Sequence, residues 1–308
     1  MWARIIKFAL LAGVFIIFPV LASRGWQHIL IMALFYMTYS VGLWVIMRMG
    51  YVSFGHAAFV GIGAYASAML TTMAKLPVLI AIPIGGLIAA IIGLGMGKIT
   101  LQLRGIYFSM TIFSFVEVIR ALWLAFDHPF GGAMGIMNIP KPAILGIRLS
   151  AHLSFYFLLL FFFIVIFLFL WNLDKSHFGF TCLAVQTKDN ELLAQSIGIN
   201  TALYKNISLG ISCLICGLGG ALYAHYFSFV SPFVFTVFMS NDLVVFNMVG
   251  GTSSIFGPLL GAGLLTVISE LMLSAGYYRT LIFGLLLLVS ILVFPGGLIS
   301  LFRKKGKS

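Results

Sequence analysis

Long apolar runs separated by short polar breaks fill most of this chain. Runs of about 20 apolar residues, the length of a helix that crosses a bilayer, recur throughout the 308 residues. Polar and apolar positions do not alternate within the runs, as they would in the strands of a membrane barrel. Helices also satisfy their backbone polar groups within one segment, which a lipid environment requires. The pattern predicts an all-α, polytopic transmembrane helical bundle of about 8–10 spans, in a single domain over residues 1–308.

Ten segments fit this prediction when the chain is followed in order. The first resembles a secretory signal peptide, but the chain continues as membrane, so an uncleaved span is the preferred interpretation. Residues 239–273 are glycine-rich and divide into short segments, and a re-entrant hairpin there would change the number of crossings. The segments cover approximately residues 5–22, 29–47, 50–70, 77–97, 105–126, 153–171, 207–226, 239–249, a stretch that ends near 273, and 279–295.

The longest polar stretch covers residues 174–206, and we call it the elbow. Its residues 188–197 predict a short amphipathic helix outside the bilayer, a coupling helix that suits contact with another protein. Thr187 or Asp189 can cap its start, and Gly198 can end it, because glycine readily adopts the left-handed conformation. The alternative is a plain loop between two spans. One side of the helix would carry Leu192, Leu193 and Ile197, while Asn190, Glu191 and Gln195 face away.

Composition and charge agree with a membrane protein and place its two ends. With 62% hydrophobic and 8% charged residues, the chain is not a soluble domain. Its net charge of +11 does not indicate nucleic-acid binding, since no basic and aromatic surface domain exists to carry it. Twelve lysines and arginines lie on the side of the termini and the elbow, and five lie opposite. Because positive residues stay on the cytoplasmic side, both termini, the elbow and the basic tail 303–308 are predicted to be cytoplasmic.

A few residues within the spans are candidates for lining a translocation path. Glu117 and Arg120 stand three apart, so they share a helix face and can pair as an internal brace, or they can meet a substrate. Glu270 lies late in the ninth predicted span. Gly55 and Gly250 mark glycine-rich helix starts, where unwound backbone groups could line a path. His56 adjoins the first of these starts, where a packing role is the plainer alternative.

The chain shows none of the short motifs of catalysis. No P-loop, HExxH or GxSxG motif occurs, so no ATP site or catalytic centre of these kinds is expected. The cysteines are Cys182, Cys213 and Cys216, and the last two form a CxxC within a span. Without a second ligand pair this is a poor metal site, so we interpret the cysteines as packing residues and expect no metal and no cofactor.

Several stretches together resemble one family, the M-type (LivM-like) permeases of bacterial branched-chain amino-acid ABC importers. The resemblance covers roughly residues 42–299, with the elbow and the span after it as the best match. The stretches are GYVSFGHAAFVGIGAYASAML, LRGIYFSMTIFSFVEVIR, NELLAQSIGINTALYKNISLGISCLICGLGGALYAHYFSFVSP, MVGGTSSIFGPLLGAGLL and YRTLIFGLLLLVSILVFPGGL. The departures from the family's pattern are Arg48, Met49, Asn247, Thr252, Ser253, Ser254 and a phenylalanine-rich sixth span.

The resemblance implies a transport subunit in the bacterial inner membrane that works by alternating access and is not itself an enzyme. Glu191, Ala194 and Gly198 would be the positions that contact the ATPase. The implied partners are two ATP-binding subunits, a second permease subunit, an extracytoplasmic substrate-binding protein and the lipid bilayer, with ATP bound by the partner subunits. Leucine, isoleucine and valine are the implied substrates, while relatives carry urea, short amides or other amino acids.

Two alternatives remain open from the sequence. One is an ATP-driven importer of a sugar or nucleoside. The other is a passive channel or an ion-coupled carrier, for which the elbow would be dispensable. For an amino-acid substrate, a helix N-terminus would receive the carboxylate, and Glu117 or Glu270 would receive the ammonium group.

Overall fold

A computed structural model describes residues 17–103, 105–144, 147–148, 151–186, 188–272, 284 and 297–301. Outside these residues lie most of the first predicted span, most of the tenth predicted span, Thr187 and the tail 303–308. The helices are α1 (Arg24–Met47), α2 (His56–Thr72), α3 (Val78–Thr100), α4 (Ile106–Ala125), α5 (Asp127–Phe130), α6 (His152–Asp174), α7 (His177–Ala184), α8 (Lys188–Ser196), α9 (Thr201–Phe227), α10 (Val237–Gly250) and α11 (Phe256–Leu271). Short 3-10 turns cover Gly132–Met134 and Leu298–Leu301.

The helices confirm the prediction of an all-α polytopic bundle. Within the described residues, α1, α3, α4, α6 and α9 are each long and apolar enough to cross a membrane. The 14 residues of α10 and the 16 of α11 are shorter. At 1.5 Å per residue they extend about 21–24 Å, less than the roughly 30 Å of a hydrocarbon core. The pair α10 and α11 occupies the region where the sequence leaves the crossing number open.

Helix α9 forms the centre of the bundle and packs against α1, α2 and α3. Its start is capped by Asn200, whose side-chain oxygen accepts a hydrogen bond of 3.1 Å from the backbone N–H of Leu203. Glycines allow the backbones of α2 and α9 to touch, because a Cβ on Gly63 would overlap the backbone of Gly217. Cys213 and Cys216 of α9 are buried among these helices, and Cys182 is buried in α7, as packing residues would be.

Polar side chains fasten the central helices to one another. The Ser212 hydroxyl of α9 donates to the backbone oxygen of Gly42 in α1 at 2.6 Å. The Asn247 amide of α10 donates to the backbone oxygen of Ser40 at 3.1 Å. Because such groups have few alternative partners in a membrane, these bonds fix how α1 sits against α9 and α10.

Two small antiparallel sheets lie at the end of the bundle opposite the elbow. The first pairs β1 (Ile136–Met137) with β4 (Phe229–Val230), and the second pairs β2 (Ala143–Ile144) with β3 (Ile147–Arg148). The first sheet joins the loop after α4 to the end of α9. The elbow joins α6 to α9 at their other ends, so the two features mark opposite faces of the protein.

Candidate functional site

The elbow contains the predicted helix, with the predicted end. Helix α8 runs over Lys188–Ser196, and Gly198 follows with φ +88°. The N–H of Gly198 donates to the backbone oxygen of Gln195, and the N–H of Ile199 donates to that of Ala194, both at 3.0 Å. These two bonds satisfy carbonyls that the helix end would otherwise leave unpaired. A residue with a side chain adopts this left-handed φ at a cost, so glycine suits the position.

Helix α8 is held against the protein by a buried ion pair. The Glu191 carboxylate pairs with the ammonium group of Lys205 in α9, and their side chains are only 7% and 5% exposed. The Thr201 hydroxyl donates to the same carboxylate oxygen at 3.1 Å. The Gln195 amide donates to the Thr201 hydroxyl at 2.8 Å and so closes the cluster. Removing one partner of a buried pair leaves an uncompensated charge, which makes the attachment specific.

The apolar side of α8 faces outward, contrary to the usual arrangement of an amphipathic helix. Leu192, Leu193 and Ile197 are 55%, 65% and 77% exposed. A surface helix normally turns such residues toward the core. Glu191 and Ala194 take the inward positions, at 5% and 6% exposure. Large exposed apolar residues on an element outside the spans are typical of a surface that binds another protein.

This orientation changes how the predicted ATPase contacts are assigned. Glu191 and Ala194 are covered by the chain itself, so a direct contact by their side chains does not fit this arrangement. Gly198 remains exposed at the helix end. The outward residues Leu193 and Ile197 take the place on the surface that the sequence assigns to Glu191 and Ala194. The role of the elbow in docking stays a prediction.

Three of the residues predicted to line a path are packed inside the chain. Both ring nitrogens of the fully buried His56 are used, by the hydroxyls of Ser53 at 2.9 Å and Ser212 at 2.6 Å. A Cβ on Gly55 would overlap the Ile112 side chain of α4, and one on Gly250 would overlap the backbone of Gly257 in α11. These glycines serve close packing of helices rather than an open passage. Gly250 also ends α10 and does not start a helix.

The two acidic candidates lie nearer the surface. Arg120 donates to one oxygen of Glu117 through Nε at 2.8 Å and through Nη2 at 2.6 Å, so the predicted pairing within the helix is confirmed. The side chains of Glu117 and Arg120 are 40% and 29% exposed. Glu270 lies half-buried in the last turn of α11. Among the described residues, no three His, Cys, Asp or Glu side chains form a possible metal site.

Sequence reasoning missed the partners that hold the elbow in place. Lys205 and Thr201 follow Glu191 by more than two helical turns and bond to it only because the chain reverses at Gly198. The Arg48–Asp174 ion pair joins residues 126 positions apart. Arg48 was visible in the sequence only as a departure from a family pattern. A charged residue at the very end of a span is the signal that could have indicated a partner.

Comparison with known proteins assigns a family to this chain. A family model described as "Branched-chain amino acid transport system / permease component" matches residues 26–293. The high-affinity branched-chain amino acid transport system permease protein LivM of Salmonella typhimurium (strain LT2) is 29% identical over 94% of this chain and 73% of its own length. The protein of the same name from Escherichia coli (strain K12) is 30% identical over the same shares. No solved structure matches. With its multi-pass helical bundle, the chain belongs to the family of permease components of branched-chain amino acid transport systems.

Proposed function

We propose that this chain is a permease subunit of an ATP-driven importer that carries leucine, isoleucine and valine across the bacterial inner membrane by alternating access. The family and the two LivM relatives support the substrate class. The observation that carries the coupling to ATP is the outward apolar side of α8. The chain contains no P-loop, so a partner subunit that binds this helix would hydrolyse the ATP.

The proposed assembly contains two ATP-binding subunits, a second permease subunit and an extracytoplasmic substrate-binding protein. The ATPase would cover Leu192, Leu193 and Ile197 on the cytoplasmic side. Burying such side chains contributes roughly 1.5–3 kcal/mol each, so a small helix can provide a firm contact. The binding protein would deliver substrate at the opposite face, where the two small sheets lie.

The second permease would cover part of α4. The Glu117–Arg120 pair is partly exposed on a helix long enough to cross the membrane. A charged side chain at the centre of a bilayer costs about 2.5–3.5 kcal/mol by insertion measurements, so this face is unsuited to lipid. The second permease and a water-filled path between the subunits would provide the polar surroundings. The Glu117 carboxylate would then meet the ammonium group of the amino acid.

Uptake of radiolabelled leucine into proteoliposomes that contain the co-purified complex tests this proposal. We expect uptake to require ATP on the side of the ATPase subunits and to be inhibited by excess isoleucine or valine, but not by ribose or urea. Inhibition by ribose or urea alone would reassign the substrate. Transport by this chain in isolation, without ATP, would mean that the chain is a channel or an ion-coupled carrier and not a subunit of an ATP-driven importer.

A paired substitution in α8 tests the docking surface. Changing Leu193 and Ile197 together to Asp places charge where we propose an apolar contact. We expect the ATPase subunits to be lost from the purified complex and ATP-dependent uptake to fall at least about tenfold, since two buried apolar contacts exceed 1.4 kcal/mol. The matched control changes both residues to Met, which keeps the surface apolar. ATPase subunits that remain bound to the Asp variant would contradict the assignment.

A further inference from the structure

The start of the elbow is fastened to the end of α1. Arg48, directly after α1, forms an ion pair with Asp174, the last residue of α6, and their side chains are 13% and 23% exposed. The Arg48 guanidinium also lies over the Trp44 ring, 5.0 Å from its centre. The pair therefore connects residues 48–55, which we call the α1–α2 loop, to the point where the elbow begins.

A second attachment joins the same loop to the end of the elbow. The Lys205 ammonium group, which holds Glu191 of α8, also lies 5.3 Å from the centre of the Tyr51 ring. One buried cation thus contacts α8 and the α1–α2 loop together. Asp174 and Lys205, at the two ends of the elbow, therefore hold the loop near its start through Arg48 and Tyr51.

Backbone packing fills the space between the two ion pairs. Gly50 has φ +80°, and a Cβ at this position would overlap the backbone oxygen of Gln186, between α7 and α8. A cavity of about 140 Å³ beside this contact is lined by the loop, the elbow and Gly105, just before α4. The three elements therefore meet at one junction.

The far part of the α1–α2 loop is bonded to two helices of the bundle. The Ser109 hydroxyl of α4 donates to the backbone oxygen of Val52 at 2.7 Å. The Ser53 hydroxyl lies 2.9 Å from the Nδ1 atom of His56, at the start of α2. A displacement of the loop would therefore reach the first turns of both α2 and α4.

From this arrangement we infer that the Arg48–Asp174 ion pair and Lys205, which holds Glu191 of α8 and lies against the Tyr51 ring, are positioning elements that make the elbow and the α1–α2 loop move as one body. The inference rests on the proposed function, because the movement would begin when a partner ATPase displaces α8. A loop joined to the elbow by the chain alone would let α8 move without α2 and α4. The partly buried Arg48–Asp174 pair, the buried Lys205 against Tyr51 and a backbone contact at Gly50 remove that freedom, so movement at the elbow is passed to the helices of the membrane.

Charge reversal at the second ion pair tests this inference. In the purified complex we would measure leucine uptake and ATP hydrolysis for Glu191→Lys, for Lys205→Glu and for the two together. We expect each single change to raise the ATP consumed per leucine imported at least about tenfold, since two like charges in the buried site repel each other and release α8 from α9. The double change restores opposite charges between α8 and α9 but places a carboxylate beside the Tyr51 ring, so we expect a ratio between those of the single variants and that of the unmodified complex. Lys98→Glu, an exposed charge reversal at the end of α3, is the matched control and should leave the ratio unchanged.

A covalent replacement of the first ion pair gives a second, independent measurement. Arg48→Cys with Asp174→Cys removes the pair, and a short bis-maleimide then joins the two positions. We expect the unlinked variant to hydrolyse ATP with little uptake, and the linked variant to recover uptake, because the two residues stay together throughout the cycle. Loss of the remaining uptake on linking would overturn the inference, since it would mean that the residues separate during transport.

The outcomes separate this inference from the proposed function. If the unmodified complex imports leucine with ATP but neither ion pair affects the ATP consumed per leucine, the coupling of the elbow to the α1–α2 loop is refuted. The proposal of an ATP-driven importer is then unaffected. If the unmodified complex does not import leucine, the proposed function fails first. Should the single charge reversals prevent assembly, Gly50→Ala probes the same junction. Gly95→Ala is its control, because a Cβ added at Gly95 has no neighbouring atom within 4 Å. An unchanged ratio in Gly50→Ala would also overturn the inference.

Discussion

Two outer helices of this bundle, α4 and α6, leave much of their surface uncovered by the other described residues, yet their uncovered faces differ in chemistry. Helix α4 is the less buried and less apolar of the two: 22% of its 18-residue apolar stretch is buried, with a mean hydropathy of 1.5, against 39% and 3.0 for α6. The exposed side chains of α6 between residues 157 and 169 are all apolar. Those of α4 include Ser114 and the partly exposed Glu117–Arg120 pair.

This difference indicates which uncovered face is compatible with lipid and which requires contact with protein or water. The uncovered face of α6 offers a bilayer only hydrocarbon groups, so lipid satisfies it completely. The uncovered face of α4 carries the charges of Glu117 and Arg120, which lipid cannot hydrate. The Ser114 hydroxyl on the same helix donates to the backbone oxygen of Met110 at 3.0 Å. The opposite face of α4, with Phe108, Ile112 and Val116, packs on the bundle. Helix α4 is thus apolar where it is buried, and its uncovered face carries an ion pair among apolar side chains such as Met110 and Val118.

The largest expected effect comes from adding a bulky side chain to the uncovered face of α4, with the same change on α6 as the control. Ser114→Trp enlarges the polar face of α4, and Val165→Trp enlarges the apolar face of α6, which is 49% exposed there. If α4 meets the second permease across a narrow water-filled path, the tryptophan at position 114 has no room, and overpacking costs about 1–3 kcal/mol. We expect Ser114→Trp to lower leucine uptake about tenfold or more and to release the second permease from the purified complex.

The tryptophan in α6 serves as the matched control for this prediction. Lipid tails rearrange around an added ring, so Val165→Trp should leave uptake and subunit recovery within about twofold of the unmodified complex. Equal losses in the two variants would show that α6 is also covered by a subunit. Equal tolerance would remove the distinction between the two helices.

Much of the fold could be predicted from the sequence because span length and apolar content are local properties. The long helices α1, α3, α4, α6 and α9 lie where apolar runs predict them. The end of α8 at Gly198 was also predictable, since one glycine determines it. The Glu117–Arg120 pair could be predicted for the same reason, because its partners are one helical turn apart.

The candidate site was less predictable because it depends on contacts between distant residues. The side of α8 that turns inward is set by Lys205, which lies beyond the reversal of the chain. Glycines at Gly55 and Gly250 fit both an open path and close packing, and only the neighbouring atoms of Ile112 and Gly257 decide for packing. A pattern along one segment carries no information about those neighbours.

Neutralising the carboxylates of Glu117 and Glu270 distinguishes a role in transport from a role in bracing the helices. Glu117→Gln keeps the size of the side chain but removes the charge that would meet an ammonium group. We expect leucine uptake to fall about fivefold, mostly through a higher KM, with a change in stability below about 1 kcal/mol because the pair is partly exposed. Glu270→Gln tests the other acidic candidate in α11 in the same assay. Unchanged uptake in both variants, with normal insertion, would remove carboxylates from the proposed path.

The mildest changes are cysteine substitutions that leave transport and the two helices otherwise intact, and their readout is a labelling rate. Ser114→Cys and Val165→Cys place a thiol on the uncovered faces of α4 and α6. A charged, water-soluble methanethiosulfonate reagent requires a hydrated thiolate, so we expect the cysteine of α4 to react about tenfold faster than that of α6.

The native cysteines give this measurement a low background. They are all buried, and burial raises the pKa of the Cys182 thiol in the elbow, so less of it is thiolate at neutral pH. Leucine added during transport should slow the reaction at position 114 if this face borders the path. Labelling at equal rates on both helices would mean that water does not reach α4, and its charged face would then be covered entirely by protein.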